Sequence, residues 1–144
     1  MTDSLMARLD EAAYTCKSFN GGQSWGGLQK VTDDRHRGEA RGEHPPDLTE
    51  LGDGTILMLF GRRSPPCGVQ GVLSFDRGAT WSDTRVSLTD DLPGPDTGYP
   101  STIRLDDGTL VTVYYSAGTV DDPHNMDEAK DAYCMSAPGL VLSH

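Results

Sequence analysis

The stretch SFDRGATW, Ser74–Trp81, nearly repeats an earlier stretch, SFNGGQSW, Ser18–Trp25, at an offset of 56 residues. We call Ser18–Trp25 the first box and Ser74–Trp81 the second box. A second repeat pairs PDLTELGDGTILMLF, Pro46–Phe60, with PSTIRLDDGTLVTVY, Pro100–Tyr114, at an offset of 54 residues. Two different motifs that recur at nearly one offset indicate a repeated unit of fifty-odd residues, which is typical of stacked arrays and propellers.

Each unit reads as four short antiparallel strands. Runs of apolar, β-branched and aromatic residues bounded by turn residues predict strands at AAYTCKSF, LQKV, DLTEL, TILMLFG, GVQGVLSF, TRVSL, STIRL, TLVTVYYS and DAYCM. The turns GDG and DDG separate two of these pairs, and TILMLFG is apolar enough to be buried on both faces. A unit of four such strands is a propeller blade, so the predicted fold is all-β, a partial β-propeller of four-stranded antiparallel blades.

One domain in three segments is predicted. Residues 1–43 hold the end of one blade, the first box and a polar connector; residues 44–92 form a complete blade with the second box; residues 93–144 begin a further blade and end in an irregular tail. The acidic stretch at residues 119–131 is predicted to be a loop. Fewer than three units fit in 144 residues. The open faces are therefore expected to meet the remaining blades of a parent chain or another subunit.

Composition excludes several classes of function. The formal net charge is −10, which repels phosphate backbones and argues against nucleic-acid binding. The three cysteines show no metal-ligand spacing with the four histidines, so neither a metal nor a cofactor is expected. Cys16 is predicted to be a buried thiol, because its counterpart in the second unit is Val72. No apolar window has the length of a signal peptide or a membrane span, which leaves the compartment open.

Turn chemistry explains the two boxes. The Asp76 carboxylate is expected to accept hydrogen bonds from backbone N–H groups of its hairpin, and Asn20 to do the same in the first box. Gly78 permits a left-handed backbone, and Trp81 is expected to fold over the hairpin. Both boxes are therefore predicted to be structural clasps. Their residues are Ser18, Asn20, Gly22, Ser24 and Trp25, and Ser74, Asp76, Gly78, Thr80 and Trp81.

The boxes resemble the Asp-box, S-x-D-x-G-x-[TS]-W, also called the bacterial neuraminidase repeat or BNR repeat. The stretch from HPPDLTEL to GATW looks like the penultimate blade of non-viral sialidase-like proteins, and GYPSTIRLDDGTLVTVYY looks like their last blade. The similarity covers roughly His44 to Tyr115. It implies a six-bladed propeller and a fragment of an exo-α-sialidase, a neuraminidase-type glycoside hydrolase acting on a terminal acidic sugar with retention of configuration.

The resemblance assigns roles to individual residues. Sialidases use a tyrosine nucleophile, and Tyr99 in GYPSTI occupies its place; the alternative is an aromatic packed at a strand start. Arginine forks hold the substrate carboxylate in that family. Arg62 or Arg63 is expected to do so here, or else both are solvated. The other candidate substrate-binding residues are Asp96, which binds a sugar hydroxyl or caps its turn, His44, which lies near the pocket or on the surface, and Gln70, which stands where an arginine is often found.

The sequence is also compatible with two other functions. One is a non-catalytic Asp-box propeller that binds a glycan or a protein, and the other is a truncated, inactive remnant. The blade that would carry the acid/base aspartate of a sialidase has no counterpart in the stretch of resemblance. The chain alone is therefore expected to be inactive.

Overall fold

The computed structural model describes residues 12–32, 45–117 and 132–137, the last range by its backbone alone. Within these ranges every ordered element is a strand and none is a helix. The strands are β1 Tyr14–Lys17, β2 Gly26–Lys30, β3 Pro46–Glu50, β4 Ile56–Arg62, β5 Gly68–Ser74, β6 Arg85–Thr89, β7 Thr97–Arg104, β8 Leu110–Ser116 and β9 Ala132–Ala137. The prediction of an all-β chain is confirmed. The loop predicted at residues 119–131 and most of the predicted connector lie outside the described residues.

The strands form three antiparallel sheets. The first sheet is β1-β2, the second is β3-β4-β5-β6, and the third is β7-β8-β9. Each sheet lies within one of the three segments expected from the sequence. Strands follow one another in chain order within every sheet, so each connection joins neighbours, as hairpins do.

The repeated DG turns have the same local cause in the second and third sheets. The Thr55 N–H donates to Asp53 at 2.8 Å, and the Thr109 N–H donates to Asp107 at 2.9 Å. These hydrogen bonds stabilise the charged carboxylates and hold the pKa of both aspartates below the usual value. The same turn therefore closes β3-β4 and β7-β8.

Two apolar clusters hold the sheets together, one on each face of the second sheet. Between the second and third sheets the buried residues are Leu57, Leu59, Val69, Leu73, Leu110 and Tyr114. Between the first and second sheets they are Ala13, Met58, Phe60 and Val72, with Val31 and Trp81 packed against them. β4 contributes alternate residues to both clusters, because successive side chains of a strand point to opposite faces. Its continuous apolar run is thus buried on both sides, as predicted.

Polar contacts also join β3 to β7. The Asp47 carboxylate accepts the backbone N–H of Thr102 at 2.8 Å. The Thr49 hydroxyl donates to the carbonyl oxygen of Thr102 at 3.2 Å. These bonds fix the second sheet against the third at one residue of β7.

The second box closes the β5-β6 hairpin with the hydrogen bonds expected of it. Asp76 Oδ1 accepts the backbone N–H of Thr80 at 2.7 Å, and Asp76 Oδ2 accepts the Thr80 hydroxyl at 2.6 Å. Ser74 Oγ donates to Asp76 Oδ1 at 2.9 Å and accepts the Gly78 N–H at 2.7 Å. Gly78 has a positive φ of 79°, and Trp81 is half-buried against the apolar cluster between the first and second sheets.

The first box repeats this arrangement on a more exposed hairpin. Ser18 Oγ accepts the Gly22 N–H at 2.7 Å, and Asn20 Oδ1 accepts the Ser24 N–H at 2.9 Å. The Asn20 amide then donates to Ser24 Oγ at 2.8 Å, which reverses the direction of the hydroxyl bond seen in the second box. Trp25 is 64% exposed, unlike its half-buried counterpart in the second box.

The two box serines form a matched pair for a test of stability. Ser74 is 1% exposed, and Ser74→Ala leaves the buried Gly78 N–H without its acceptor. We expect a loss of about 1–2 kcal/mol in the free energy of unfolding. Ser18→Ala removes the same bonds where water replaces them, and a loss below about 0.5 kcal/mol is expected. Urea unfolding of both variants measures the difference, and equal losses would contradict the burial argument.

Asp76 makes the stability of the folded chain depend on pH in acidic solution. Its hydrogen bonds to Thr80 lower its pKa from 3.8 to about 2. A carboxylate with a depressed folded-state pKa contributes stability above its unfolded pKa, and that contribution is lost as the pH falls through the folded pKa. The melting temperature of the wild type should therefore fall towards that of Asp76→Asn between pH 3.8 and about 2. A difference that stays constant over this range would contradict the assignment.

The predicted burial of Cys16 is wrong. Cys16 is exposed, whereas its counterpart Val72 is 3% exposed. The reason is the sheet order: Val72 lies on the face of the second sheet that the first sheet covers. Cys16 lies in the first sheet, where the described residues leave it exposed. Cys67 is buried, and burial raises the pKa of its thiol.

Candidate functional site

The candidate site lies at the end of the sheets opposite the second box. β4 ends at Arg62 and β7 begins at Thr97, so the start of the third sheet meets the end of β4 here. The second box follows β5 and lies beside the start of β4. We call Arg63, Asp96, Tyr99 and Tyr115 the Tyr99 corner.

A bulge in β7 presents Tyr99. The pairing of β7 with β8 is regular from Ser101 onwards and shifts between Gly98 and Ser101. Gly98 has a φ of 127° and Tyr99 a φ of 53°, in the left-handed region that non-glycine residues rarely adopt. Tyr99 also precedes Pro100, and residues before proline normally prefer an extended backbone. The Tyr99 side chain is 58% exposed.

Close packing of the second sheet fixes the bulge. Gly61 of β4 lies so close to β7 that a Cβ on it would come within 2.6 Å of Gly98 Cα and 2.8 Å of the Thr97 carbonyl oxygen. Thr97 is fully buried, and its hydroxyl donates to the Tyr115 carbonyl oxygen at 2.9 Å. The backbone just before Tyr99 is therefore held from both neighbouring strands.

Arg63 reaches the Tyr99 ring from the second sheet. Its Nε donates to the Thr97 carbonyl oxygen at 3.2 Å, and its guanidinium carbon lies 5.7 Å from the centre of the Tyr99 ring. That distance is typical of a cation–π contact. Among the described residues the Arg63 Nη atoms have no hydrogen-bond acceptor. These Nη atoms belong to the planar guanidinium group that can donate two parallel hydrogen bonds to a carboxylate.

Tyr115 contacts the Tyr99 ring, and Asp96 accepts a hydrogen bond from Tyr115. The Tyr115 ring meets the Tyr99 ring edge-on, with centres 6.2 Å apart and planes at 82°. The Tyr115 hydroxyl donates to Asp96 Oδ2 at 3.1 Å. Burial and the hydrogen bond to the Asp96 carboxylate raise the pKa of Tyr115, so it remains a neutral donor. The Asp96 carbonyl oxygen accepts the Ala117 N–H at 2.8 Å, which closes the loop before β7.

The sequence analysis missed Tyr115, although the repeat contained a signal. At the offset of 54 residues Tyr114 replaces Phe60, and both are buried core residues. Tyr115 replaces Gly61, so a large polar aromatic stands where the preceding unit has glycine. This departure from the internal repeat, at the end of a strand, indicated that Tyr115 was a candidate site residue.

Three other predicted site residues do not join the Tyr99 corner. Arg62 is the last residue of β4 and its Nη2 donates to the Pro65 carbonyl oxygen at 3.2 Å, whereas Arg63, the next residue, donates to the Thr97 carbonyl oxygen. Gln70 is buried on the face towards the first sheet, where its Oε1 accepts a bond from Arg85 at 3.3 Å. His44 lies outside the described residues.

A cavity of about 540 Å³ lies elsewhere, between residues 88–93 and Tyr114. The Thr89 hydroxyl in its wall is already paired with the Asp91 carboxylate. None of the residues of the Tyr99 corner lines it. We therefore do not place the site there.

The described part of the chain shows neither a metal centre nor a spanning helix. No group of three or more His, Cys, Asp or Glu side chains within it is placed to hold a metal ion. No helix within it has the length and apolarity needed to cross a bilayer.

Comparison with known proteins gives a likeness in fold. No protein-family model matches the chain, and no curated protein matches it. The chain is similar to a crystal structure of a protein of unknown function from Dyadobacter fermentans DSM 18053, with a TM-score of 0.62 and 20% sequence identity. The similarity covers 90% of this chain and 31% of that one. This chain thus spans about a third of the length of a protein whose fold it shares over that region.

Proposed function

We propose that the three sheets are successive blades of a six-bladed β-propeller of the sialidase type. Two features support this: the repeat offsets of 54 and 56 residues, and the stacking of sheets in chain order, with the second between the first and third. The chain would then form about two to three blades of such a propeller. Its Tyr99 corner would form part of the site of an exo-α-sialidase-like glycoside hydrolase that takes a terminal acidic sugar.

The observation that most supports this proposal is the environment of Tyr99. Tyr99 is exposed, has a φ of 53° and lies beside a guanidinium whose Nη atoms have no hydrogen-bond acceptor among the described residues. Such backbone conformations cost roughly 1–3 kcal/mol and cluster at functional sites. The guanidinium suits the carboxylate of an acidic sugar, and the tyrosine lies within the same corner.

The chemistry follows from the charge of the substrate. The reacting carbon of sialic acid carries a carboxylate, which would repel a carboxylate nucleophile, and sialidases are the exception that uses tyrosine. In the proposed reaction the Tyr99 oxygen bonds to that carbon as the bond to the leaving-group oxygen breaks. A general base takes the phenolic proton, an acid protonates the leaving oxygen, and water later replaces the tyrosine.

A second candidate, a non-catalytic glycan-binding propeller, is favoured by one observation. Among the described residues no carboxylate accepts a hydrogen bond from the Tyr99 hydroxyl. Asp96, the carboxylate of the corner, is bonded to Tyr115 instead. No base for Tyr99 is thus in place among the described residues, and a pure binding site needs none.

The 144-residue chain should bind a fluorogenic sialoside without hydrolysing it, because Asp96, the carboxylate of the corner, is bonded to Tyr115 and not to Tyr99. Tyr99→Phe keeps the ring, so its affinity should stay within about threefold of the wild type. Fluorescence release measures turnover, and calorimetry measures binding. Rapid turnover by this chain would contradict the assignment of roles. Absence of binding to any acidic sugar would contradict the proposed function.

A further inference from the structure

The first box contains the pair Asn20–Gly21 on an exposed hairpin. An asparagine followed by glycine is especially prone to deamidation, because glycine has no Cβ to hinder attack of its backbone nitrogen on the asparagine side chain. Both residues are exposed, and a Cβ built on Gly21 would meet no atom within 4 Å. The Gly21 N–H has no acceptor among the described residues. The two reacting groups are thus adjacent and accessible to water.

The internal repeat shows that the hairpin can hold the product. Asp76 stands in the second box where the first box has Asn20. Asp76 Oδ2 accepts the Thr80 hydroxyl at 2.6 Å, whereas the Asn20 amide donates to Ser24 Oγ at 2.8 Å. A hydroxyl both donates and accepts, so a carboxylate at residue 20 keeps this contact once the Ser24 hydroxyl donates to it. The Ser24 N–H, which donates to Asn20 Oδ1 at 2.9 Å, finds the same acceptor in a carboxylate.

We propose that Asn20 is a deamidation site, and that its aspartyl product gives the first box the carboxylate acceptor of the second box. The product has an acidic residue at the third position of the box, which completes the pattern S-x-D-x-G-x-[TS]-W. It also adds one negative charge to an exposed hairpin. The inference does not depend on a sialidase activity.

The reaction needs water and no other reactant. The Gly21 backbone nitrogen bonds to Asn20 Cγ while the bond from Cγ to Nδ2 breaks, and ammonia leaves with the proton of the Gly21 N–H. Water then opens the five-membered succinimide. Addition of water at Cγ breaks its bond to nitrogen, restores the original main chain and leaves aspartate. Addition at the main-chain carbonyl carbon leaves isoaspartate, whose longer main chain displaces the Gly22 N–H from its bond to Ser18 Oγ.

Two variants change the rate in opposite directions. The bonds to Ser24 restrain the Asn20 side chain. Ser24→Ala removes the bond to Asn20 Nδ2 and should therefore deamidate faster than the wild type. Gly21→Arg copies Arg77, which has a φ of 57° at the equivalent position of the second box. A side chain there hinders the attack, so this variant should deamidate about tenfold more slowly or less.

Incubation of the full chain at neutral pH and physiological temperature, followed by peptide mapping with mass spectrometry, tests the proposal. The peptide with Asn20 should gain about 1 Da as its amide becomes an acid. Asn125, the other asparagine of the chain, precedes Met126 and is the internal control that should stay an amide over the same period. Asn20→Asp is the standard for the product, and its circular dichroism should match that of the wild type. Equal survival of the two asparagine amides would overturn the proposal, as would a Gly21→Arg variant that deamidates as fast as the wild type.

Discussion

Gly61→Val should lower the free energy of unfolding by about 3 kcal/mol, at the upper end of the range for overpacking a close-packed core. A Cβ at this position would lie 2.6 Å from Gly98 Cα and 2.8 Å from the Thr97 carbonyl oxygen. Both neighbours are backbone atoms, which have no rotamer with which to move aside. The second and third sheets must therefore separate locally, or the β7 bulge must change its backbone conformation.

Gly26→Val is the matched control. Gly26 also lies in a strand, but a Cβ there meets no atom within 4 Å. Its substitution should change stability by less than about 0.5 kcal/mol. Urea unfolding measures both variants, and tyrosine fluorescence or NMR of Tyr99 reports on the bulge. Equal stability of the two variants would show that Gly61 does not hold the sheets together.

Arg63→Ala should lower the affinity of the chain for an acidic sugar by about tenfold or more, the effect of losing one charge-assisted hydrogen-bonding partner. The affinity for the neutral methyl ester of the same sugar should change little between the wild type and Arg63→Ala. Arg63→Lys keeps the charge but not the planar fork and should fall between the wild type and Arg63→Ala. Calorimetric titration with N-acetylneuraminic acid and its methyl ester provides the comparison.

Arg62→Ala is the control that the chain itself offers. Arg62 is adjacent in sequence and has the same charge, but it is bonded to the Pro65 carbonyl oxygen and not to β7. Its removal should change the affinity less than about twofold. If both arginine variants lose affinity equally, long-range charge and not the Arg63 fork explains binding.

Strand positions were predictable because the local signals were consistent. A buried strand such as β4 has a continuous apolar run, and the DG turns before β4 and β8 use aspartate–threonine bonds that depend on neighbouring residues only. The same holds for the hydrogen bonds of Asp76 and Asn20 in the boxes. Hydrogen bonds between residues close in sequence can be predicted without knowing which sheets pack together.

Features that depend on contacts between sheets were not predictable. The positive φ of Tyr99 depends on how closely Gly61 approaches Gly98, which are far apart in sequence. The burial predicted for Cys16 failed because sequence equivalence with Val72 does not say which face is covered. Gln70 was expected in the substrate site, but its partner Arg85 is brought to it by the pairing of β5 with β6, in which Gln70 faces Ser87 and Val72 faces Arg85.

Binding of an acidic sugar at the Tyr99 corner is tested by an NMR titration of the isotope-labelled chain with N-acetylneuraminic acid and, separately, with its methyl ester. We expect saturable shifts of the Thr97 and Gly98 amides and the Arg63 side chain with the acid, much weaker shifts with the ester, and unchanged signals at the second box. Shifts of equal size with acid and ester, or shifts confined to residues outside the Tyr99 corner, would contradict it.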